Sequence, residues 1–261
     1  MISVARLSTS AVKSLGLTHP ASVRLEPYGV PENRRFVLLT PERMPFDAKR
    51  NGRVMRVTSS TDAEGSELSL RFPDGAEIRG PVEPDGNPFP ITMWGRTLAV
   101  RLVGGAFADA LSSFAGQPLL LTRTERPGDG NDEMPVSLVS TASVAEVGRR
   151  GGRDASIGAG RFRMLLELGG TRPYEEDGWL GMRVRVGTAL IHVAGHCARC
   201  AITTMNERTG EVDFPTLKVL AAARGVNDGD LDLGMYASVL EPGTISVGDA
   251  VEVLAETAIS R

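Results

Sequence analysis

The chain has few cysteines, few aromatic residues and little net charge. Only two of its 261 residues are cysteine, aromatic residues make up 5%, and 29 basic residues nearly balance 32 acidic ones. Two cysteines cannot form a disulfide scaffold, and a net charge of −3 provides no general surface for nucleic acid. No apolar run approaches the roughly 18 residues that span a bilayer. These absences predict a soluble, cytoplasmic protein that binds neither nucleic acid nor membrane.

The rest of the composition is that of a folded chain. Hydrophobic residues make up 41% and charged residues 23%, while 30 glycines and 16 prolines divide the sequence into short segments. This composition excludes disorder and collagen. The length suits one large domain or two small ones.

Short strands are predicted throughout the first 125 residues, at the spacing of roughly 8 to 12 residues that is typical of a small barrel or sandwich. The apolar runs that predict them include 22–25, 35–40, 54–58, 67–72 and 98–103. One helix is predicted over about 105–115, because Gly116 and a proline shortly beyond it are helix-ending residues.

The polar, glycine-rich segment 126–132 is predicted to be a domain linker or a long loop, so the expected units are residues 1–125 and 126–261. After it, helices are predicted from Ser140 and over 214–224. The predicted strands of this part include 163–168, 183–186, 190–193 and 201–204. The predicted fold class is therefore mainly β with a few helices, an α+β fold.

Cys197 and Cys200 form a Cys-x-x-Cys pair that is open to several interpretations. It suits half of a zinc site, a redox dithiol, one reactive thiolate, or two thiols that pack in a core. Zinc needs four ligands, and only His192 and His196 lie nearby. A redox dithiol is expected at a helix start, whereas strands are predicted on both sides. Arg199 favours the thiolate, which is a nucleophile and a soft metal ligand.

The residues around this pair resemble a known domain. The segments HCARCAITTMNERTG (196–210) and EEDGW (175–179) resemble the MOSC domain, the C-terminal module of molybdenum cofactor sulfurases. The segments VKS (12–14) and NRRF (33–36) resemble the β-barrel domain that precedes MOSC in the mitochondrial amidoxime-reducing component and its bacterial YcbX-like relatives. The resemblance covers nearly the whole chain. It implies an N-terminal β-barrel domain packed on a MOSC β-barrel domain.

The resemblance also implies a cofactor and a site. Molybdenum of a pterin cofactor, Mo-molybdopterin, is expected between the two domains with the Cys200 thiolate as a ligand, which suits the preference of molybdenum for soft sulfur donors. The cofactor-binding positions that the resemblance implies are Lys13, Ser14, Arg35, Asp132, Arg163 and Arg199.

Three positions lack a polar side chain that the family pattern has. Leu165 stands where the reductases have asparagine, while Met134 and Ala198 stand where they have serine. Each lost polar partner weakens cofactor binding by about 0.5 to 1.5 kcal/mol unless a backbone group replaces it. Lys49 stands where relatives have arginine, which keeps the charge and changes its geometry.

The function that these features predict is reduction of N-hydroxylated, amidoxime-like small molecules by a molybdenum enzyme. Two cysteines cannot ligate an iron–sulfur cluster of the plant ferredoxin type, so the electron donor is expected to be a separate ferredoxin or flavoprotein. Two alternatives stay open. Cys200 could carry a persulfide for sulfur transfer, or the chain could be a non-catalytic cofactor carrier that has lost turnover.

Overall fold

The computed structural model of the protein describes residues 1–153 and 156–254. Strand makes up 41% of the chain and helix 19%, which confirms the predicted α+β class with β predominant. The α-helices in the described part are α1 (Ala106–Ala115), α2 (Thr141–Arg150) and α3 (Thr216–Arg224). None of the helices within these residues is long and apolar enough to cross a membrane.

Sixteen strands are found in the described residues. The strands before residue 125 are β1 (Ser3–Leu7), β2 (Ser22–Leu25), β3 (Phe36–Leu39), β4 (Thr58–Thr61), β5 (Glu67–Arg71), β6 (Glu77–Pro81), β7 (Pro84–Met93), β8 (Arg96–Val103) and β9 (Leu120–Thr124). The later strands are β10 (Val136–Ser140), β11 (Leu166–Gly169), β12 (Arg183–Val186), β13 (Ala189–Ala198), β14 (Asp232–Glu241), β15 (Gly243–Ser246) and β16 (Val251–Leu254).

A seven-stranded sheet in the order β1-β11-β10-β14-β13-β12-β16 curls into a nearly closed barrel. The amide of Val4 in β1 donates to the carbonyl oxygen of Asp249 at 2.9 Å, and the amide of Gly248 donates back to the Val4 carbonyl at 2.8 Å. These bonds join the first strand to the chain just before the last one. Aliphatic side chains from alternate positions fill the interior, among them Leu7, Leu138, Leu168, Val184, Ile191 and Val193.

The other half of the molecule contains two antiparallel sheets. One has the order β3-β9-β8-β7 and the other has the order β4-β5-β6. Helix α1 buries Phe107, Leu111 and Ala115 against them. Met205 packs into this same core although it lies in the later part of the sequence. The two halves therefore share buried apolar surface beside the Cys-x-x-Cys segment.

Strands β1 and β2 pair with β11 and β15, which lie after residue 125. The first 25 residues are thus hydrogen-bonded to the second half of the chain. The division of the chain into two domains at residue 125 therefore stays a prediction.

Segment 126–132 is packed against the turn at residues 28–34. The side-chain amide of Asn131 donates to the carbonyl oxygen of Tyr28 at 3.1 Å. A methyl group on Gly130 would lie only 1.9 Å from the carbonyl oxygen of Arg34, so the two backbones are in contact. This contact sets the position of the next residue, Asp132, at the site described below.

Two predicted strands are wrong, and a third begins later than predicted. Residues 52–56 form a 3-10 helix whose first turn is capped by the side chain of Asn51, which accepts from the amide of Arg53. Ala201–Thr204 is also a 3-10 helix, and the strand predicted from 163 begins only at Leu166. β-branched and apolar residues suggested strands at each place, but local side-chain and backbone bonds to the preceding turn favour helical turns instead.

Candidate functional site

The two cysteines lie in different environments. Strand β13 passes through Cys197, whose side chain is buried between the barrel and helices α2 and α3. Cys200 follows the end of the strand and is exposed. Its carbonyl oxygen accepts hydrogen bonds from the Thr203 amide at 3.1 Å and the Thr203 hydroxyl at 2.9 Å. The turn therefore presents one thiol to solvent and keeps the other in the core.

Cys200 lines a cavity of about 240 Å³ that is formed by both halves of the chain. The cationic side chains in its lining are Lys13, Arg34, Lys49, Arg163 and Arg199, and the acidic ones are Asp47, Asp132 and Glu133. Cations thus exceed carboxylates in a recess that is partly shielded from water. Such a recess favours an anionic ligand.

A three-residue ion cluster lies at the centre of this lining. Lys13 Nζ is 2.7 Å from Asp132 Oδ1 and donates to the carbonyl oxygen of Gly130 at 2.9 Å. Arg34 pairs with the other oxygen of Asp132. Burial lowers the pKa of Lys13 to about 8 despite the nearby carboxylate. Burial alone would raise the pKa of Asp132, but Arg34 and Lys13 more than offset it and hold that pKa well below its usual range.

Arg163 is a half-buried cation with unused hydrogen-bonding capacity. It ends a 3-10 helix, Ala159–Phe162, in the left-handed conformation with φ +54°. Its Nη2 donates to the carbonyl oxygen of Leu15 at 2.7 Å, whereas its Nη1 is buried and has no partner among the described residues. Burial and the charge of Arg34 lower the pKa of Arg163 to about 10. An acceptor group in the cavity would satisfy this donor and offset its charge.

Arg199 is held mainly by backbone oxygens. Its guanidinium donates to the carbonyl of Phe162 at 3.3 Å and to that of Leu233 at 3.2 Å. From its place between the two cysteines, Arg199 is expected to lower thiol pKa values. For Cys197 that expectation is wrong, because burial raises the pKa of this thiol and outweighs the opposing effect of Arg199.

Two predicted binding residues have opposite placements. Ser14 lines the cavity and adopts φ +77°, in the left-handed region. Arg35 is absent from the lining within the described residues. It is 5% exposed and donates through Nη1 to both the carbonyl and the hydroxyl oxygen of Thr124, on β9. The geometry therefore brings the neighbouring Arg34 to the cavity in place of Arg35. The paired arginines in the sequence carry no signal that distinguishes them.

Three residues that replace polar side chains of the family pattern, Met134, Leu165 and Ala198, lie in and around the cavity. Ala198 is part of the lining. Leu165 is 3% exposed in the barrel core, and Met134 packs against the buried cluster that contains Cys197. The amide of Leu165 donates to the hydroxyl of Ser137, another lining residue, at 3.1 Å. Apolar packing thus replaces the polar side chains that the family resemblance implies here.

The cavity is also lined by Trp94 and Tyr236, which were not predicted from the sequence. Tyr236 lies on β14 beside Cys197, and burial raises the pKa of its hydroxyl far above the ordinary value. Neither belongs to a motif, so only the assembled strands bring them to the site. Within residues 1–153 and 156–254, no three His, Cys, Asp or Glu side chains are grouped as metal ligands.

The fold and this site define a class of protein. Residues 125–252 match the MOSC domain family, and they contain the Cys-x-x-Cys turn and most strands of the barrel. The chain is also homologous to mitochondrial amidoxime-reducing component proteins. It is 24% identical to mitochondrial amidoxime-reducing component 1 of Danio rerio over 252 residues, which cover 86% of this chain and 75% of the relative.

Two other relatives extend the comparison. Mitochondrial amidoxime-reducing component 1 of Homo sapiens is 24% identical over 251 residues, covering 86% of this chain and 73% of that protein. The molybdenum cofactor sulfurase of Drosophila mojavensis is 29% identical over 137 residues, covering 49% of this chain and 17% of that protein. The crystal structure of the YUAD protein from Bacillus subtilis aligns over 97% of this chain and 96% of that chain, with a TM-score of 0.48 and 15% identity.

Proposed function

We propose that this protein is a molybdenum cofactor-dependent oxidoreductase that reduces N-hydroxylated, amidoxime-like small molecules. The observation that supports this proposal most directly is that the exposed Cys200 thiol lines the same cavity as Arg163, whose Nη1 is a buried donor without a partner among the described residues. The names of the relatives, amidoxime-reducing component and molybdenum cofactor sulfurase, support a function related to this cofactor.

The donor set of the cavity fits the cofactor. A thiolate is the soft ligand that molybdenum prefers, and Cys200 is the exposed cysteine of the pair. The pterin phosphate needs cations and hydroxyl groups, which Lys13, Ser14, Arg34 and Arg163 supply in one recess. In this proposal Arg34 takes the binding role that the sequence suggested for Arg35. Asp132 orients Lys13 and Arg34, and Arg199 holds the turn before Cys200.

The proposed reaction removes oxygen from nitrogen. The N–O bond of the substrate breaks, two electrons and two protons are consumed, and the products are an amidine and water. When bound, the cofactor supplies the two-electron oxygen-transfer chemistry. In this proposal Cys200 would hold Mo, the cations of the cavity would bind the anionic tail, and the recess would limit access of water. The electrons come from a separate ferredoxin or flavoprotein, since two cysteines cannot hold an iron–sulfur cluster of that type.

Element analysis tests the proposal. The protein is expressed in a host that makes the cofactor, and Mo and pterin are measured together with reductant-dependent loss of benzamidoxime. We expect stoichiometric Mo in the wild type, loss of Mo and activity in Cys200→Ser, and retention of both in the matched control Cys197→Ser. Thermal melts establish that each variant is folded.

Other outcomes separate the alternatives. Absence of Mo with a cyanide-labile sulfur on Cys200 contradicts the reductase and supports a persulfide carrier. Stoichiometric Mo without turnover of any N-oxygenated compound supports the non-catalytic carrier instead. Loss of Mo from Cys197→Ser and not from Cys200→Ser would show that Cys197 is the ligand, and it would contradict the role proposed for Cys200.

A further inference from the structure

Trp94 lines the same cavity, although the binding of phosphate or metal does not need an indole ring. Its side chain is 52% exposed, whereas Trp179, the other tryptophan, is 5% exposed and packs in the barrel core. An exposed tryptophan gives up much of the hydrophobic stabilisation that its burial would provide. Core packing therefore does not explain a tryptophan at this position.

The backbone at Trp94 is strained as well. Trp94 and Gly95 form the two-residue loop between β7 and β8, with φ values of +54° and +70°. Two consecutive positive φ values are typical of a type I′ turn, in which Asn-Gly or Asp-Gly is favoured. A bulky side chain is disfavoured in the left-handed conformation. Strain of this kind is concentrated at ligand-binding and active sites.

The hairpin tip is fixed against the cationic cluster. Nη2 of Arg96, two residues after Trp94, donates to the carbonyl oxygen of Asn131 at 2.6 Å and to that of Asp132. The same loop therefore carries the Asp132 carboxylate and anchors the hairpin. The Nζ atoms of Lys13 and Lys49 lie 6.0 Å and 5.6 Å from the centroid of the indole, within cation–π range.

We propose that Trp94 stacks on a planar, conjugated group of the substrate at the rim of the cavity, and so makes the site selective for aromatic over aliphatic N-oxygenated compounds. This inference rests on the proposed function for its substrate class. The half-exposed indole offers a flat apolar surface in the lining of the cavity that contains Cys200, and its anchored hairpin holds that surface in place. Aromatic pairs contribute binding free energy beyond the area that they bury.

The kinetic test compares benzamidoxime with acetamidoxime, which carry the same reacting group on a phenyl ring and a methyl group. Trp94→Asn removes the ring and keeps a residue that the type I′ turn favours, whereas Trp94→Phe keeps an aromatic ring. We expect Trp94→Asn to lower the ratio of kcat/KM for benzamidoxime to that for acetamidoxime about fivefold, mainly through KM. Trp94→Phe should restore most of the ratio. A ratio that changes less than twofold in Trp94→Asn overturns the proposal.

A binding measurement gives a readout that does not depend on turnover. Trp94 is the exposed one of the two tryptophans, so a ligand in the cavity quenches the tryptophan fluorescence mainly through Trp94. Benzamidoxime should quench this emission in the wild type, acetamidoxime should not, and the response should disappear in Trp94→Phe. A wild type that does not respond to benzamidoxime, or a Trp94→Phe protein that responds equally, overturns the proposal.

The two readouts separate this inference from the proposed function. A protein without Mo that reduces neither compound contradicts the proposed function, and the fluorescence titration still decides whether Trp94 stacks on an aromatic ligand. A protein with Mo and turnover, but with an unchanged substrate ratio in Trp94→Asn, leaves the proposed function standing and removes the role of Trp94.

Discussion

Lys13 and Asp132 are 119 residues apart in the sequence, and their Nζ and Oδ1 atoms are 2.7 Å apart in the structure. Arg34 pairs with the second oxygen of the same carboxylate. One carboxylate therefore holds together two cations that would otherwise repel each other in a recess that also contains Arg163. This cluster joins the N-terminal loops to the start of the MOSC domain.

Asp132→Asn should lower the free energy of unfolding by about 2 kcal/mol at pH 7, because Lys13 and Arg34 lose a charged partner. The pKa of Asp132 is depressed in the folded state, so its stabilisation is complete above the unfolded value of 3.8 and is lost as the pH falls through the folded pKa. Denaturant unfolding at several pH values measures the difference, which should shrink below that value. Glu133→Gln, at a neighbouring lining position, is the control. An equal loss in both variants would contradict the role of the pair.

Anion binding in the cavity should weaken as the pH rises through about 8, where Lys13 loses its proton. Protonated Lys13 attracts the anion and neutral Lys13 does not, so the affinity is highest below that pH. Isothermal titration with sulfate, whose charge is constant over this range, measures the dependence without the cofactor. Lys13→Met should bind more weakly at pH 7 and show a flatter pH profile. If sulfate affinity changes with pH equally in the wild type and in Lys13→Met, a group other than Lys13 causes the change.

Arg161→Met should destabilise the protein by about 2 to 3 kcal/mol. The side chain is 2% exposed, and Nη2 lies 3.0 Å from Asp213 Oδ1 while Nη1 donates to the Thr203 carbonyl at 3.2 Å. Its loss leaves these acceptors short of a donor and loosens the turn after Cys200. Chemical unfolding gives the free energy. Arg172→Met, at a side chain that is 87% exposed, is expected to melt like the wild type.

Gly210→Ala should cost at least about 3 kcal/mol, because the added methyl group would lie 1.8 Å from the carbonyl oxygen of Gly52. The contact joins the segment after Cys200 to the first half of the chain. Gly229 also has a positive φ, but a methyl group there meets nothing within 4 Å. Gly229→Ala therefore carries only the backbone strain, about 1 kcal/mol. Thermal melts that shift equally for the two variants would rule out steric contact as the cause.

Local patterns predicted much of the secondary structure. The apolar run at 22–25 is β2, and the helix predicted over 105–115 is α1, which ends at Gly116 with φ +70°. Ser140 caps α2 as expected, since its side chain accepts from the Ser143 amide. These features depend on neighbours a few residues away. The strand predicted at 201–204 is wrong because the carbonyl oxygen of Cys200 accepts a hydrogen bond from the amide of Thr203 and so closes a helical turn. The hydrophobic pattern carries no information about this bond.

The sequence by itself determined the chemistry that is available: two cysteines in one window, the cations around them, and the short strands that build the fold. Only the tertiary structure decided that Cys200 is exposed and Cys197 is buried, that Arg34 reaches the cavity in place of Arg35, and that Trp94 lies at its rim. The physical reason is that strand and turn preferences are local. The direction of a side chain into a shared cavity is set instead by contacts between segments far apart in the chain.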